Sequence, residues 1–295
     1  MTLLLPQPKQ LSHGTIARNA SQSAYPSLWR GLTNAWVPAL GQTGLKLVDA
    51  ALTHRPGELT NMPASAWVAT QKGLALTYAG TDDFVTTYQG LKLRTTGAMT
   101  VVCLVKGQSG GASIGSVCGN TGNSGFRGFM VGPNNVGTWG FYIAENDITF
   151  NSQTVTGHDS TVWTNYAHVY EPSTRLTIYR NGVQVAENTT SIPASQYINN
   201  GYFTKIGNRG DGHLGGGTAY FSGEISTVLY YHRVLVLEEI QTLYRDHLAP
   251  FRRRDLVIPY ATPAAGSGRS MGSLAGAGGL AGPSGLAGTG GGIAG

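Results

Sequence analysis

The chain has 295 residues, 43 of them glycine, and only 12% are Asp, Glu, Lys or Arg. Glycine is about twice, and charge about half, what an ordinary soluble domain carries, yet there is no collagen repeat, no coiled-coil heptad and no charge-rich disordered composition. The formal charge of +5, from 20 basic and 15 acidic residues, is too small and too scattered to point to nucleic acid, and no apolar run reaches the ~18 residues of a membrane span.

Residues 1–28, with Pro6, Pro8, Gly14 and Pro26, predict an extended arm without helix or strand periodicity. Its start lacks the basic region and apolar stretch of a classical signal peptide. From residue 29 to residue 250 the texture changes to short apolar alternations separated by Gly, Asn, Asp and Pro. Stretches 73–78, 98–105, 140–143 and 175–179 each fit a strand with burial at every second residue. Asn181-Gly182 is a hairpin signal, because both residues accept the positive φ of a type I′ turn. Leu237, Ile240, Leu243 and Tyr244 share one face of a short helix, with Glu238 and Glu239 in its first turn. That helix is expected to plug an edge or end of a two-sheet sandwich.

Residues 251–295 read as a basic linker, Arg252-Arg253-Arg254, followed by a low-complexity tail. Thirteen of the last 32 residues are Gly, and Leu-Ala-Gly recurs from Leu274, Leu280 and Leu286. Three such short repeats cannot bury a core alone, so they predict either a flexible tail or a segment that orders against partner chains. Cys103 and Cys118 allow one disulfide at most, and cross-strand pairing stays open. His158-Asp159 and Asp211-Gly212-His213 lack zinc-ligand spacing and read as solvated loops.

Three stretches carry a family resemblance. Trp36, Gly44-Leu45, Asp49 and Gly57–Asn61 lead to Gly73-Leu-Ala-Leu-Thr-Tyr-Ala-Gly80-Thr-Asp82-Asp83-Phe-Val85. Trp163-Thr-Asn-Tyr-Ala167-His-Val-Tyr170 is followed by Leu176-Thr-Ile-Tyr179-Arg-Asn181-Gly182. Ile206-Gly207, Phe221-Ser-Gly223-Glu-Ile225 and Tyr231-His-Arg233-Val-Leu235 then run to Glu239-Ile240 and Leu243-Tyr244. In order and at compatible spacing, this set resembles the laminin-G-like, concanavalin A-like jelly-roll superfamily. The resemblance implies an all-β fold: a two-sheet antiparallel jelly-roll sandwich with one C-terminal helix. Asn165, Ser226 and Leu237 stand where the family has His, Asp and a helix-capping Ser or Thr.

The resemblance also frames the chemistry. Some relatives are glycosidases with Glu-x-Asp-x-Glu on one strand, one carboxylate acting as nucleophile and one as acid; here Glu145 and Asp147 are followed by Thr149, so the set is incomplete. Many relatives hold Ca²⁺ in edge loops, for which Asp82 and Asp83 are the candidates. Sugar sites need an aromatic platform and hydroxyl-binding groups. Trp139 and Tyr142 with Asn208 and Asp211 supply these, although Trp139, Trp163 and Tyr170 also suit a core.

The expectation is a noncatalytic binding or structural protein of a virion or extracellular assembly, of the capsid-decoration or appendage type. Its partners would be other protein subunits, including copies of itself, met through Arg252, Arg253, Arg254, Leu274, Leu280 and Leu286. The alternative is a lectin-like module for surface glycans, and a glycoside hydrolase comes third.

Overall fold

The computed structural model describes residues 11, 15–51, 56–87, 97–109, 114–121, 128–134, 137–146, 148–197, 203–210 and 219–254. The tail leucines 274, 280 and 286 and Asp211 lie outside these residues.

Sixteen strands form among them: β1 (Leu32–Trp36), β2 (Lys46–Leu47), β3 (Gly57–Thr60), β4 (Trp67–Thr70), β5 (Gly73–Ala79), β6 (Phe84–Thr87), β7 (Met99–Ser109), β8 (Cys118–Gly119), β9 (Phe129–Pro133), β10 (Thr138–Ala144), β11 (Phe150–Thr156), β12 (Thr164–Glu171), β13 (Arg175–Arg180), β14 (Val183–Asn188), β15 (Lys205–Ile206) and β16 (Phe221–Tyr231). The first sheet runs β14-β13-β12-β7-β16-β5-β4, with β1 also paired to β16. The second runs β11-β10-β9-β8-β15-β6-β3-β2. Every named strand pairing is antiparallel.

Period-two alternation decides which residues meet between the sheets. Met99, Val101, Cys103 and Val105 of β7 and Tyr166 and Tyr170 of β12 point inward from the first sheet; Trp139, Phe141 and Ile143 of β10 answer from the second. The residues between them on β7 and β12, Val102, Ala167 and Val169, belong to a second core on the outer face of the first sheet. β7 is therefore buried on both faces rather than at every second residue as its sequence predicts.

The second core is closed by the chain's own ends. The single α-helix among the described residues, α1 (Leu237–Arg245), contributes Ile240 and Leu243, and the N-terminal segment contributes Ile16, Leu28, Trp29 and Leu32. The helix therefore covers a sheet face instead of plugging an edge. Two residues expected on its buried side, Leu237 and Tyr244, are exposed; Tyr244 instead lies beside the Asn181-Gly182 turn, where a Cβ on Gly182 would sit 3.2 Å from its ring.

The expected arm is also different from Thr15 onward. Trp29 Nε1–H and the Ser23 hydroxyl both donate to Pro250 O (2.6 and 2.8 Å), Ala17 N–H to Phe251 O (2.9 Å) and Ala24 N–H to Arg252 O (2.8 Å), while Trp29 meets Phe251 edge-on. Proline-rich sequence has no periodicity, so pairing with the chain's far end leaves no local signal.

Val236 is the N-cap residue of α1, and Glu239 does the capping from inside the helix by accepting Val236 N–H (3.2 Å). Glu239 is held in turn by both terminal nitrogens of Arg233 (2.6 and 2.8 Å), whose other donors reach the carbonyls of Ser27, Arg30 and Val234. Leu237 thus leaves no uncapped end. At the hairpin, Asn181 (φ 53°) and Gly182 (φ 77°) take the left-handed conformation expected of them. Gly107 and Gly223 face each other across β7 and β16, and a Cβ on either would stand 2.2 Å from a backbone oxygen of the other strand.

Candidate functional site

Trp139 is not a ligand platform. Its side chain is 0% exposed, stacked on Tyr166 at 3.9 Å and 8°, and its Nε1–H donates to His168 Nε2 across the two sheets (2.6 Å). Because that ring nitrogen accepts, the proton of His168 sits on Nδ1, which donates to Val101 O (3.1 Å). Burial pushes the pKa of His168 down to about 3. Tyr166 continues the chain of contacts to His158, whose Nδ1 meets the Tyr166 hydroxyl (3.0 Å) while Nε2 meets Gly107 O (2.7 Å). His158, expected in solvent, is buried, because its loop folds down onto β7 and β12. Tyr170 is buried as well and donates to Pro193 O (2.7 Å).

Tyr142 lies on the opposite face of β10, where alternation turns it away from the core. It is 8% exposed and lines a small cleft of about 30 Å³ with Ile114, Thr121, Met130, Phe150 and Arg209 among its walls. The ring lies across Gly140, where a Cβ would come within 2.4 Å of it. Phe150, a half-exposed residue at the start of β11, meets the Tyr142 ring edge-on at 5.2 Å. The Tyr142 hydroxyl is buried and makes no hydrogen bond, and burial pushes its pKa up to about 12. It is therefore a neutral donor with no acceptor among the described residues, as are the hydroxyls of Tyr78 and Tyr231, but unlike theirs it sits in the wall of a cleft. Phe150 and Arg209 escape sequence reasoning because β11 is otherwise polar and Arg209 sits in a loop; the signal available was Phe150 two residues from the register partner of Tyr142, on the same face of the hairpin.

Asn208 adjoins Arg209 in the chain but is fully buried, its Oδ1 accepting Arg209 N–H (2.8 Å) and its Nδ2 unpartnered. It does not line the cleft, and its burial keeps it off the surface. Asn134 is partly buried beside β9, with its N–H on Thr138 O (3.0 Å).

The calcium candidates do not fit an ion. Both carboxylate oxygens of buried Asp83 accept backbone N–H groups, those of Ala79 and Gly80, and exposed Asp82 accepts from Asn61 Nδ2 (3.2 Å). Among the described residues, no three His, Cys, Asp or Glu side chains gather around one point. Glu145 and Thr149 close the β10–β11 turn: Glu145 N–H donates to Thr149 O (3.1 Å), and Asn146 Oδ1 accepts from Ile148 and Thr149. A turn does not give the one-face alternation that the glycosidase triad needs. Asp147 is outside the described residues.

Cys103 and Cys118 are free and buried on opposite sheets; burial raises both thiols, Cys118 to about 12. Arg252 is engaged by Asp246 (Nε to Oδ2, 2.6 Å), whereas Arg253 and Arg254 are exposed where the two ends of the chain pair, Arg254 N–H donating to Gln22 O.

No curated protein matches the chain in sequence. Solved structures match in fold. The binding domain of Paraclostridial Mosquitocidal Protein 1 is 11% identical with a TM-score of 0.55, covering 74% of this chain and 52% of its own. The ligand-binding domain of botulinum neurotoxin serotype D, in complex with N-acetylneuraminic acid, is 12% identical with a TM-score of 0.53, covering 76% and 52%. The binding domain of botulinum neurotoxin DC in complex with rat synaptotagmin II is 11% identical with a TM-score of 0.52, covering 73% and 51%. The chain thus spans about half the length of the structures it matches. Residues 79–241 match the model of the concanavalin A-like lectin/glucanase superfamily, and with the jelly-roll architecture above, the chain belongs to that superfamily.

Proposed function

We propose that this protein is a noncatalytic, lectin-like binding module whose ligand, a glycan, enters the cleft beside Tyr142. The observation that carries this reading is the pairing of an apolar platform, Tyr142 against Phe150, with a buried hydroxyl donor that has no acceptor of its own. A sugar presents an apolar face and acceptor oxygens together, which is the complement of such a site. Support of a general kind comes from the fold neighbours, which are binding domains, one of them solved with a sugar acid.

The test is a glycan array probed with the full chain and with Tyr142→Ala and Phe150→Ala. Retention of particular glycans by the parent protein, lost in both variants, is the expected result; a blank array, or binding untouched by both substitutions, sinks the reading.

We further propose that the module is displayed on a virion or other extracellular assembly. The chain enters and leaves the sandwich side by side, through Ser23 opposite Arg253, which suits a domain carried on its flanking segments. Mass measurement of the full chain across a concentration series checks this: self-association lost on truncation after Arg254 is expected, and a monomer at all concentrations that joins no particle refutes it.

A further inference from the structure

The chain's own ends close only part of the outer face of the first sheet. Beyond them, β4, Gln71, Lys72, Lys106 of β7, Glu224 of β16 and the segment from Thr161 to Trp163 line a groove of about 490 Å³. It belongs to the opposite sheet from the Tyr142 cleft and shares no residue with it.

Trp163 comes to this groove by the alternation of β12. Ala167 and Val169 face the second core, and Trp163 lies at the same face one turn of the pattern further out, past the cover, only partly buried. The loop that carries it is fastened below. His158 reaches Gly107 O and Tyr166, Arg180 Nη1 donates to the carbonyls of Thr156 (3.1 Å) and Gly157 (2.6 Å), and Asp159 accepts the N–H and hydroxyl of Thr161 (2.8 and 2.6 Å). A ligand therefore meets a loop already fastened just before Trp163, which limits the ordering that opposes binding.

The lining charges are Lys72, Lys106 and Glu224. Lys106 and Glu224 are register partners across β7 and β16 and form a loose pair at 3.9 Å. Lys72, exposed between β4 and β5, makes no ion pair among the described residues, which leaves the groove one positive charge in excess. Thr70, Gln71 and Thr161 add hydroxyl and amide groups at the rim.

We propose that this groove is a second binding site and that it takes an acidic saccharide. Trp163 supplies the stacking surface for the apolar face of a sugar ring, Lys72 pairs with its carboxylate or sulfate, and the Lys106–Glu224 pair with Thr70 and Gln71 meets its hydroxyls. The module then holds two ligands on opposite sheets, which multiplies its grip on a surface bearing both.

Titration calorimetry with the full chain tests this, using a uronate oligomer, a heparin-type sulfated oligomer and an uncharged glucose oligomer of equal length. The expected result is binding of an acidic oligomer at least ~10-fold tighter than the uncharged one, weakened ~10-fold by Lys72→Ala and lost in Trp163→Ala. Preference between the two acidic probes identifies carboxylate or sulfate as the partner of Lys72. If Trp163→Ala does not fold, Lys72→Ala, an exposed turn substitution, decides alone. Equal affinity for the uncharged oligomer, acidic binding indifferent to Lys72→Ala, or no acidic binding overturns the proposal. None of these results touches the Tyr142 reading, which depends on Tyr142 and Phe150.

Discussion

Acid should weaken this sandwich well above the carboxylate range, and His168 gives the reason. In the folded chain its Nε2 must accept from Trp139 Nε1–H, and its Nδ1–H already serves Val101 O. Protonation would set two donors against each other inside a site whose other neighbours are the rings of Phe141 and Tyr166. Burial therefore drives its pKa down to about 3, whereas an unfolded histidine titrates near 6.5. Between these values the unfolded chain binds the proton and the folded chain does not. The stability contributed by the neutral ring is complete above about pH 6.5 and falls as pH is lowered, by roughly 1.4 kcal/mol per pH unit. Two units of acidification, to about pH 4.5, cost on the order of 3 kcal/mol through this residue alone, a large share of a typical domain's ~5–15 kcal/mol. Burial lowers His158 too, and lowers His247 to about 4, so the total slope exceeds one proton. His168→Gln isolates one of them. Gln lacks the titration, so urea unfolding followed by tryptophan fluorescence should show the variant about 1–3 kcal/mol less stable at neutral pH. That gap should close by roughly 2–3 kcal/mol on going to about pH 4.5. A gap that stays constant across this range refutes the argument. So does a ¹⁵N spectrum placing the His168 proton on Nε2.

Tyr142→Phe removes a buried hydroxyl that bonds to nothing, so stability should hold or rise by up to about 1 kcal/mol while glycan affinity falls; thermal melts beside array binding check both halves. Arg233→Ala takes away the guanidinium that joins Glu239 to the carbonyls of Ser27 and Arg30, and chemical denaturation should record a loss of about 3 kcal/mol. Burial raises the Glu239 carboxyl, but the bonds from Arg233 and Val236 and the nearby positive charges outweigh it. Its net pKa is depressed, so its contribution is present above the ordinary glutamate value and lost as pH falls through the folded one; Glu239→Gln should flatten the most acidic part of the profile only. Cys103 and Cys118 should stay unlabelled by a thiol reagent in the native state and both react on unfolding, since burial raises both thiols; rapid native labelling would contradict their placement.

The sandwich was legible because its strands alternate and its punctuation is specific. Asn181-Gly182 forms its turn, β5 runs one residue past its expected end, and β12 sends Tyr166 and Tyr170 inward and Ala167 and Val169 outward. What stayed hidden depends on residues far apart in sequence. Ile16 and Leu28 sit among Pro, Ser and Gly with no period, and only the distant partners Pro250 to Arg252 make that segment ordered. The same limit explains the site. Trp139 and Tyr142 look equivalent in sequence, yet three residues of spacing put them on opposite faces of β10, one locked between sheets and one at a cleft. Alternation carried the distinction; which face would be covered was set by the other sheet.

Scarcity of charge makes each remaining charge informative. Among the described residues, the closest ion pairs gather in two places: Arg233–Glu239 and Arg252–Asp246 secure the cover over the second core, and Arg175 joins Glu171 and Glu187 at the β12–β14 edge. Those pairs hold the chain's ends and an edge together, and truncating any of them should register first as stability. Lys72 lines a concavity with Trp163 in its wall, and Arg209 lines the one with Tyr142. A surface with few charges has few ways to choose a partner by electrostatics, so the two proposed sites would select mainly by shape and by the rings in their walls. Recognition by this sandwich is therefore expected to be shape-led and only mildly salt-dependent, with the groove at Lys72 the more salt-sensitive of the two sites.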